Sequence, residues 1–112
     1  MRRYCLTLDL RRDEALIAEY IELHKAVRPE IQKSIRDAGV LDMQLFELDG
    51  RVFMIMDVVD DFSFERKAAM DSSNPDVQVW ERQVAKFQDV DPNGDQSGKW
   101  KVMQKIFQLD GV

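Results

Sequence analysis

The dipeptide Asp49-Gly50 restricts the possible folds more than any other part of this sequence. It separates two runs of strand-forming residues, 41–48 and 51–59, and an Asp-Gly pair readily adopts the positive φ angles that a two-residue hairpin turn requires. We therefore predict an antiparallel β-hairpin. Its second strand is apolar at consecutive positions over 52–56, which favours a central strand that is covered on both faces.

Strand and helix periodicities precede the hairpin. Residues 3–10 alternate in polarity with the period of a strand. Asp13 then has the position of an N-cap, and an apolar stripe at helical spacing follows it, formed by Leu16, Tyr20, Leu23 and Val27. Pro29 predicts a break in this helix, since proline cannot continue the backbone hydrogen bonds. Helical periodicity resumes over 31–38, and Gly39 is the predicted stop.

The second half of the chain returns to helix and then to strand. Residues 63–70 predict a short helix, and an asparagine N-cap followed by Pro75 begins a longer one that we expect to end near Gln88. Residues 89–98 are rich in aspartate, proline and glycine and predict a solvated loop. Residues 99–109 alternate in polarity again and predict the last strand.

The order strand, helix, strand, strand, helix, strand predicts an α+β ferredoxin-like sandwich with an antiparallel sheet. We expect residues 1–112 to form a single domain, because 112 residues leave no room for a second one. They also leave no room for a second layer of helices. A second copy of the chain that packs sheet against sheet would cover the other apolar face, so we expect a homodimer.

Composition excludes several partners. The chain has 21 acidic and 16 basic residues, a net charge of -5, and no cluster of Lys and Arg, which argues against nucleic acid and anionic membrane surfaces. No apolar run is long enough for a signal peptide or a membrane span. The only cysteine, Cys5, cannot form an intramolecular disulfide, which fits a reducing compartment. We expect a soluble, cytoplasmic protein.

Few residues offer the chemistry of an active site. The chain has one histidine and no glycine-rich phosphate loop, so neither a metal site nor a nucleotide site is expected. Asp57, Asp60 and Asp61 lie just before a predicted helix, and we expect them to cap it rather than to bind a cation. Cys5 is expected to behave as a small apolar residue.

The pair Tyr20 and His24 is the best candidate for catalysis. The two residues are four apart on one predicted helix, so a phenol lies one turn from a group that titrates near neutral pH. A buried pair that satisfies each other or a backbone carbonyl would give the same pattern. Trp80 has the spacing of a core residue, although an indole can also stack on the C–H face of a sugar.

At these residues the sequence resembles a known family. Residues 19–31, EYIELHKAVRPEI, resemble the EYxxxHxxxxPEL-type helix of the L-rhamnose mutarotases. Further matches follow in register: Gly39, the strands through Phe46 and Phe53, residues 74–80, and the closing residues 105–107. The likeness spans nearly the whole chain.

The resemblance implies a cofactor-free dimeric α/β barrel of two ferredoxin-like subunits that interconverts the α and β anomers of a 6-deoxyhexose. It implies that His24 donates a proton, that Tyr20 binds substrate and that Trp80 contacts it. Two implied substrate-contact positions depart from the L-rhamnose enzyme: Met43 aligns with a tyrosine, and Glu81 aligns with a second tryptophan. L-Fucose therefore competes with L-rhamnose as the substrate.

Mutarotation fits these residue types, because it needs positioned proton-transfer groups and no redox step. Met43, Phe53 and Trp80 would receive the C–H face and the methyl group of the sugar. Two alternatives remain open at this stage. One is a cofactor-independent monooxygenase on the same dimeric barrel. The other is a non-catalytic sugar-binding or dimerisation module in which Tyr20 and His24 are merely packed.

Overall fold

A four-stranded antiparallel sheet with helices on one face forms the framework of the protein. The computed structural model describes residues 1–89 and 99–109. In chain order the elements are β1 Arg2–Asp9, α1 Glu14–Leu23, a 3₁₀ turn His24–Ala26, α2 Pro29–Asp37, β2 Val40–Leu48, β3 Arg51–Val58, α3 Phe64–Ser72, α4 Pro75–Ala85 and β4 Lys101–Val102. The strands are ordered β2-β3-β1-β4 and all neighbours are antiparallel. The predicted α+β ferredoxin-like fold is confirmed.

The predicted hairpin is present. Asp49 has φ 50° and Gly50 has φ 87°, and Leu48 pairs with Arg51 across the turn. Two consecutive positive φ angles are the signature of the turn that matches the twist of a hairpin. β3 lies between β2 and β1, so it is a central strand, as its continuous apolar run predicted.

The predicted helix signals also act as expected. The Asp13 carboxylate accepts hydrogen bonds from the backbone N–H groups of Ala15 and Leu16 at the start of α1. Pro29 is the first residue of α2, and the chain before it leaves the helical conformation, so the break lies where proline predicted it. At the other end of the chain α4 stops at Ala85, a little earlier than sequence periodicity suggested.

The aspartate triplet does not cap α3, so this expectation was wrong. Ser63 is the N-cap residue, and its hydroxyl accepts from the Arg66 N–H. Asp57 instead forms an ion pair with Arg3 on the adjacent strand, at 2.7 Å, and Asp60 pairs with the N-terminal amino group. Two of the three carboxylates, those of Asp57 and Asp60, are therefore used in ion pairs with cations.

The two faces of the sheet differ in composition. One face, called the covered face below, packs under the helices. It carries a large part of the core, namely Leu6, Leu8, Leu10, Val52, Met54, Met56 and Val58. Alternate residues point to the opposite face, called the open face below: Cys5, Thr7, Phe46, Phe53 and Ile55. A bulge between Val40 and Asp42 inserts one residue, so that Val40 and Met43 both turn towards the covered face.

The predicted last strand is much shorter than expected. Only Lys101–Val102 pairs with β1, and the backbone N–H of Met103 donates to the carbonyl of Cys5 at 2.7 Å. Beyond it the apolar residues are exposed: Ile106 by 89%, Phe107 by 75% and Leu109 by 70%. Their alternating pattern indicates side chains that need burial, but the described residues of this chain do not provide it. The predicted loop at 89–98 lies, apart from Asp89, outside the described residues.

None of the helices in the described part of the chain combines the length and the apolar character needed to cross a lipid bilayer.

Of the two glycines among the described residues, Gly39 has the more crowded surroundings, and we predict that Gly39→Ala destabilises the fold. Gly39 has φ 97°, and an added Cβ would lie 2.9 Å from Cγ2 of Val59. We expect the substitution to lower the free energy of unfolding by about 1 to 3 kcal/mol, measured by urea denaturation. Gly50→Asn is the control with a smaller expected loss, because asparagine tolerates positive φ. Equal stability of Gly39→Ala and the native protein would contradict the prediction.

Candidate active site

The last turn of α1 holds Tyr20 and His24 against each other. The ring centroids are 4.3 Å apart, and Nδ1 of His24 lies 2.8 Å from the backbone carbonyl oxygen of Tyr20. His24 begins the 3₁₀ turn that leads to Pro29, so the α-helical ladder ends here. The Tyr20 carbonyl also accepts the backbone N–H of His24, so the imidazole is its second partner at the end of the helix.

This contact fixes the tautomer of His24. A carbonyl oxygen only accepts hydrogen bonds, so Nδ1 must carry the proton. In the neutral imidazole Nε2 then holds the free lone pair. Burial lowers the pKa of His24 from its ordinary 6.5, and the hydrogen bond to the Tyr20 carbonyl partly opposes this shift. At neutral pH the ring is therefore a base at Nε2.

The phenol of Tyr20 stays protonated over the physiological range. The side chain is only 4% exposed. Its pKa is raised to about 12, mainly by burial and also by the negative charge of Glu81, and a hydrogen bond with the side chain of Gln88 partly opposes the rise. The two adjacent rings thus differ in proton state at neutral pH: the imidazole is free to accept a proton, and the phenol has one to give.

Trp80 completes a row of three rings. Its indole lies 5.4 Å from the His24 ring at 71°, an edge-to-face contact. Val77 and Val84, one turn away on either side along α4, are buried and anchor the helix to the core. Trp80 itself is only partly buried. The row therefore runs from the buried phenol through the imidazole to a partly accessible indole.

An ion pair lies beside Trp80. Glu81, the next residue of α4, pairs with Lys99, whose side chain is 7% exposed, against 33% for Glu81. Glu81 also raises the pKa of Tyr20, so its charge reaches the phenol. Lys99 was not among the predicted site residues. No local pattern marks it, because the pair joins positions 18 residues apart.

Gln88 is a second residue that sequence reasoning missed. It is 1% exposed, and its Oε1 has no hydrogen-bond partner among the described residues. Backbone hydrogen bonds hold this stretch to the end of β1, from Arg11 N–H to the Phe87 carbonyl and from Asp89 N–H to the Asp9 carbonyl. These bonds place a polar amide in the core beside the phenol of Tyr20.

The structure brings together some predicted site residues and separates others. Tyr20, His24 and Trp80 form the row of rings, with Glu81 next to it. Met43 lies on the covered face but packs in the other part of the core, opposite Met56.

Phe53 does not join the other site residues. It lies on the open face, opposite Thr7 and Phe46 in the strand register. Alternate residues of a strand point to opposite faces, so the structure separates Phe53 from His24 within one chain, and its contact with the sugar stays a prediction.

A groove of about 500 Å³ runs between α1 and α4 next to the rings. Leu23 and Phe87 form its inner wall, and the Phe87 ring lies 6.1 Å from that of Tyr20. Glu19, Glu22, Gln83 and Lys86 line its outer part. Within residues 1–89 and 99–109, no three His, Cys, Asp or Glu side chains gather as metal ligands would.

Comparison with known proteins gives a consistent picture. A sequence model of the L-rhamnose mutarotase family matches residues 3–109. The chain is 37% identical over 111 residues to the L-fucose mutarotase of Xanthomonas campestris, and this alignment covers 97% of this chain and 89% of that protein. It is 30% identical over 118 aligned positions to a UPF0734 protein of Dictyostelium discoideum, covering 97% of this chain and 90% of the relative.

Solved structures share the fold at low sequence identity. The L-rhamnose mutarotase of Formosa agariphila superposes with a TM-score of 0.72 at 18% identity, covering 98% of this chain and all of the other. The tetracenomycin F2 cyclase of Streptomyces glaucescens gives 0.60 at 14% identity, with both chains fully covered. A dimeric ferredoxin-like protein from an uncultured marine organism gives 0.55 at 10% identity, covering 95% and 90% of the two chains.

These matches define first a class: the protein is a mutarotase, a carbohydrate isomerase. Because the family model spans nearly the whole chain, the family can be assigned as well as the class. The chain belongs to the L-rhamnose mutarotase family. The resemblance seen in the sequence is thereby confirmed, and the monooxygenase and the non-catalytic module give way to a deoxy-sugar mutarotase.

Proposed function

We propose that this protein interconverts the α and β anomers of L-fucose, with L-rhamnose as the second candidate, by proton transfer at His24 and Tyr20. The observation that carries the proposal is the hydrogen bond from His24 Nδ1–H to the Tyr20 carbonyl, which leaves Nε2 free as a base. The 37% identity to a protein named L-fucose mutarotase supports L-fucose over L-rhamnose.

The proton states of the two rings suggest the order of transfer. Ring opening removes a proton from the anomeric hydroxyl and delivers one to the ring oxygen. Nε2 of His24 accepts the first proton, and the Tyr20 phenol donates the second, which leaves an open-chain aldehyde. After rotation about the C1–C2 bond the steps run in reverse on the other face, and both side chains regain their starting states. Here His24 acts first as a base, whereas the sequence resemblance implied a proton donor.

The surroundings of the rings suit a monosaccharide. The partly accessible indole of Trp80 offers an apolar platform for the C–H face and the methyl group of the sugar. Glu81, beside it, offers carboxylate oxygens that accept hydrogen bonds from hydroxyl groups. Met43, in the neighbouring part of the core, stays a candidate contact. A few polar groups beside an apolar wall are typical of small-molecule sites.

We predict that the native protein accelerates anomer exchange of L-fucose and that His24→Asn loses ~10² to 10⁴ of this rate. The asparagine amide sits where Nδ1 does and still donates to the Tyr20 carbonyl, but it has no base in place of Nε2. Tyr20→Phe removes the proton donor with little change in packing. Saturation-transfer NMR on the equilibrium mixture of anomers measures the rate of exchange. Lys25→Ala, an exposed neighbour of His24, is the control with unchanged activity.

No acceleration of either L-fucose or L-rhamnose by the native protein would overturn the proposed function. Full activity of His24→Asn would overturn the role of the imidazole.

The pH dependence of the rate separates a histidine base from a histidine acid. The pKa of His24 lies below 6.5 because of burial, so the neutral form dominates at pH 7 and above. We predict that kcat/KM, corrected for the uncatalysed rate, falls as the pH drops through that pKa and is level from pH 7 to 9. A rate that falls as the pH rises through this range would instead make His24 the acid.

We also propose that the protein is a homodimer whose subunits pack open face to open face. The support is apolar surface left without cover: Phe46 is 53% exposed and Leu48 74% exposed on this side of the sheet. The exposed apolar residues after β4 need burial as well. In such a dimer Phe53 would lie between the two sheets. A fold neighbour is named as a dimeric ferredoxin-like protein, which agrees with this arrangement.

We predict that the native protein sediments as a dimer at micromolar concentration and that Phe46→Glu shifts it to monomer. A charge on the open face cannot be buried against an identical face without a large desolvation cost. Val79→Glu is the matched control, because Val79 is an exposed apolar residue on α4 rather than on the sheet, and it should stay dimeric. A monomeric native protein would contradict the proposal.

A cytoplasmic location is proposed as well. It rests on the single cysteine, which has no partner in its own chain for a disulfide. Equal enzyme activity in cytosolic and secreted fractions of the source cells would argue against it.

A further inference from the structure

Lys99 is a nearly buried cation next to the row of rings. Its side chain is 7% exposed, and its ammonium group pairs with the carboxylate of Glu81. Lysine is almost never buried to this extent unless it is paired. Its neighbour in sequence, Trp100, packs against both parts of the core, which fixes the backbone at this point.

Stability alone is a weak reason for such a pair. Removing two charges from water costs several kcal/mol per ion, and apolar residues of similar volume are often equally good or better. The other charge pair of intermediate burial, Lys67 with Asp71 on α3, keeps both side chains at 22% and 23% exposure. The Lys99–Glu81 pair is more asymmetric: the cation is buried, while the carboxylate is 33% exposed.

The pair lies where a bound sugar needs polar contacts. Glu81 follows Trp80 directly on α4, and Trp80 contacts the imidazole of His24 edge-on. Glu81 is also close enough to the phenol of Tyr20 to influence it electrostatically. A sugar whose anomeric centre meets His24 and whose C–H face meets Trp80 would therefore present its remaining hydroxyl groups to the carboxylate.

We propose that Lys99 is a specificity-determining positioning residue, which holds the Glu81 carboxylate in the orientation that accepts hydroxyl groups of one deoxyhexose and not of its diastereomers. This inference rests on the proposed function. L-Fucose and L-rhamnose differ in configuration at C2 and C4, so they present hydroxyl groups in different directions. A carboxylate with one fixed orientation discriminates between them, whereas a freely rotating one accepts both.

The experiment measures anomer exchange of L-fucose and L-rhamnose at a series of sugar concentrations, for the native protein, Lys99→Met and Glu81→Gln. Methionine keeps the length and burial of the lysine without its charge. In both variants we expect KM for the preferred sugar to rise roughly ten- to a hundredfold, with kcat changed much less. Glu81→Gln loses the charged hydrogen bond to the sugar, and Lys99→Met loses the fixed orientation of the carboxylate. The ratio of kcat/KM between the two sugars should fall towards one.

Several controls keep a structural role distinct from a role in specificity. Lys67→Met removes the comparable pair on α3 and should leave the sugar ratio unchanged. Lys99→Arg keeps the positive charge and should retain most of the discrimination between the two sugars. If Lys99→Met is poorly folded, Glu81→Gln gives the same readout, since it changes one atom on the more exposed partner.

Three outcomes overturn the inference. An active native protein whose sugar ratio is the same in Lys99→Met and Glu81→Gln overturns it while leaving the proposed function intact. Equal loss on both sugars, with kcat and KM affected alike, makes the pair structural. A native protein that exchanges neither sugar overturns the proposed function and this inference together.

Discussion

The hydrogen bond between His24 Nδ1–H and the Tyr20 carbonyl is the contact on which the site depends. It lies at the end of α1, where the chain tightens into a 3₁₀ turn at His24 and leaves the helix before Pro29. The Tyr20 carbonyl also accepts the backbone N–H of His24, and a carbonyl oxygen has two lone pairs, so it can take the imidazole as a second donor. This second bond fixes the tautomer and the direction of the imidazole. The backbone carbonyl of Tyr20 thus sets which nitrogen of the His24 side chain can act as a base.

Features that depend on near neighbours in the chain could be predicted from the sequence. The Asp49-Gly50 turn, the Asp13 and Asn74 caps and the break before Pro29 each follow from the backbone preferences of one or two residues. The spacing of Tyr20 and His24 belongs to this group, because one helix carries both rings. So does the neighbouring position of Trp80 and Glu81.

Features that depend on distant pairing could not be predicted. Lys99 meets Glu81, and Gln88 meets Tyr20, through contacts that no local pattern encodes. The face of the sheet on which Phe53 lies could not be predicted for another reason. Because the residues on both sides of Phe53 are apolar, the sequence does not show whether the odd- or the even-numbered residues of β3 face the helices. Only the register with β1 and β2 decides this. The length of the final strand was overestimated. Alternating apolar residues indicate that one side of a segment needs burial, but they do not show which surface buries it.

The burial of His24 has a further consequence, for folding itself. Its pKa is lower in the folded chain than the ordinary 6.5, so an unfolded chain binds more protons in mildly acidic solution than the folded one does. Folding therefore releases a proton in this range, and acidification opposes it. The stability tied to this residue is fully present above about pH 6.5 and is lost as the pH falls towards the folded-state pKa. The lone pair that we propose as the catalytic base thus makes the domain sensitive to acid.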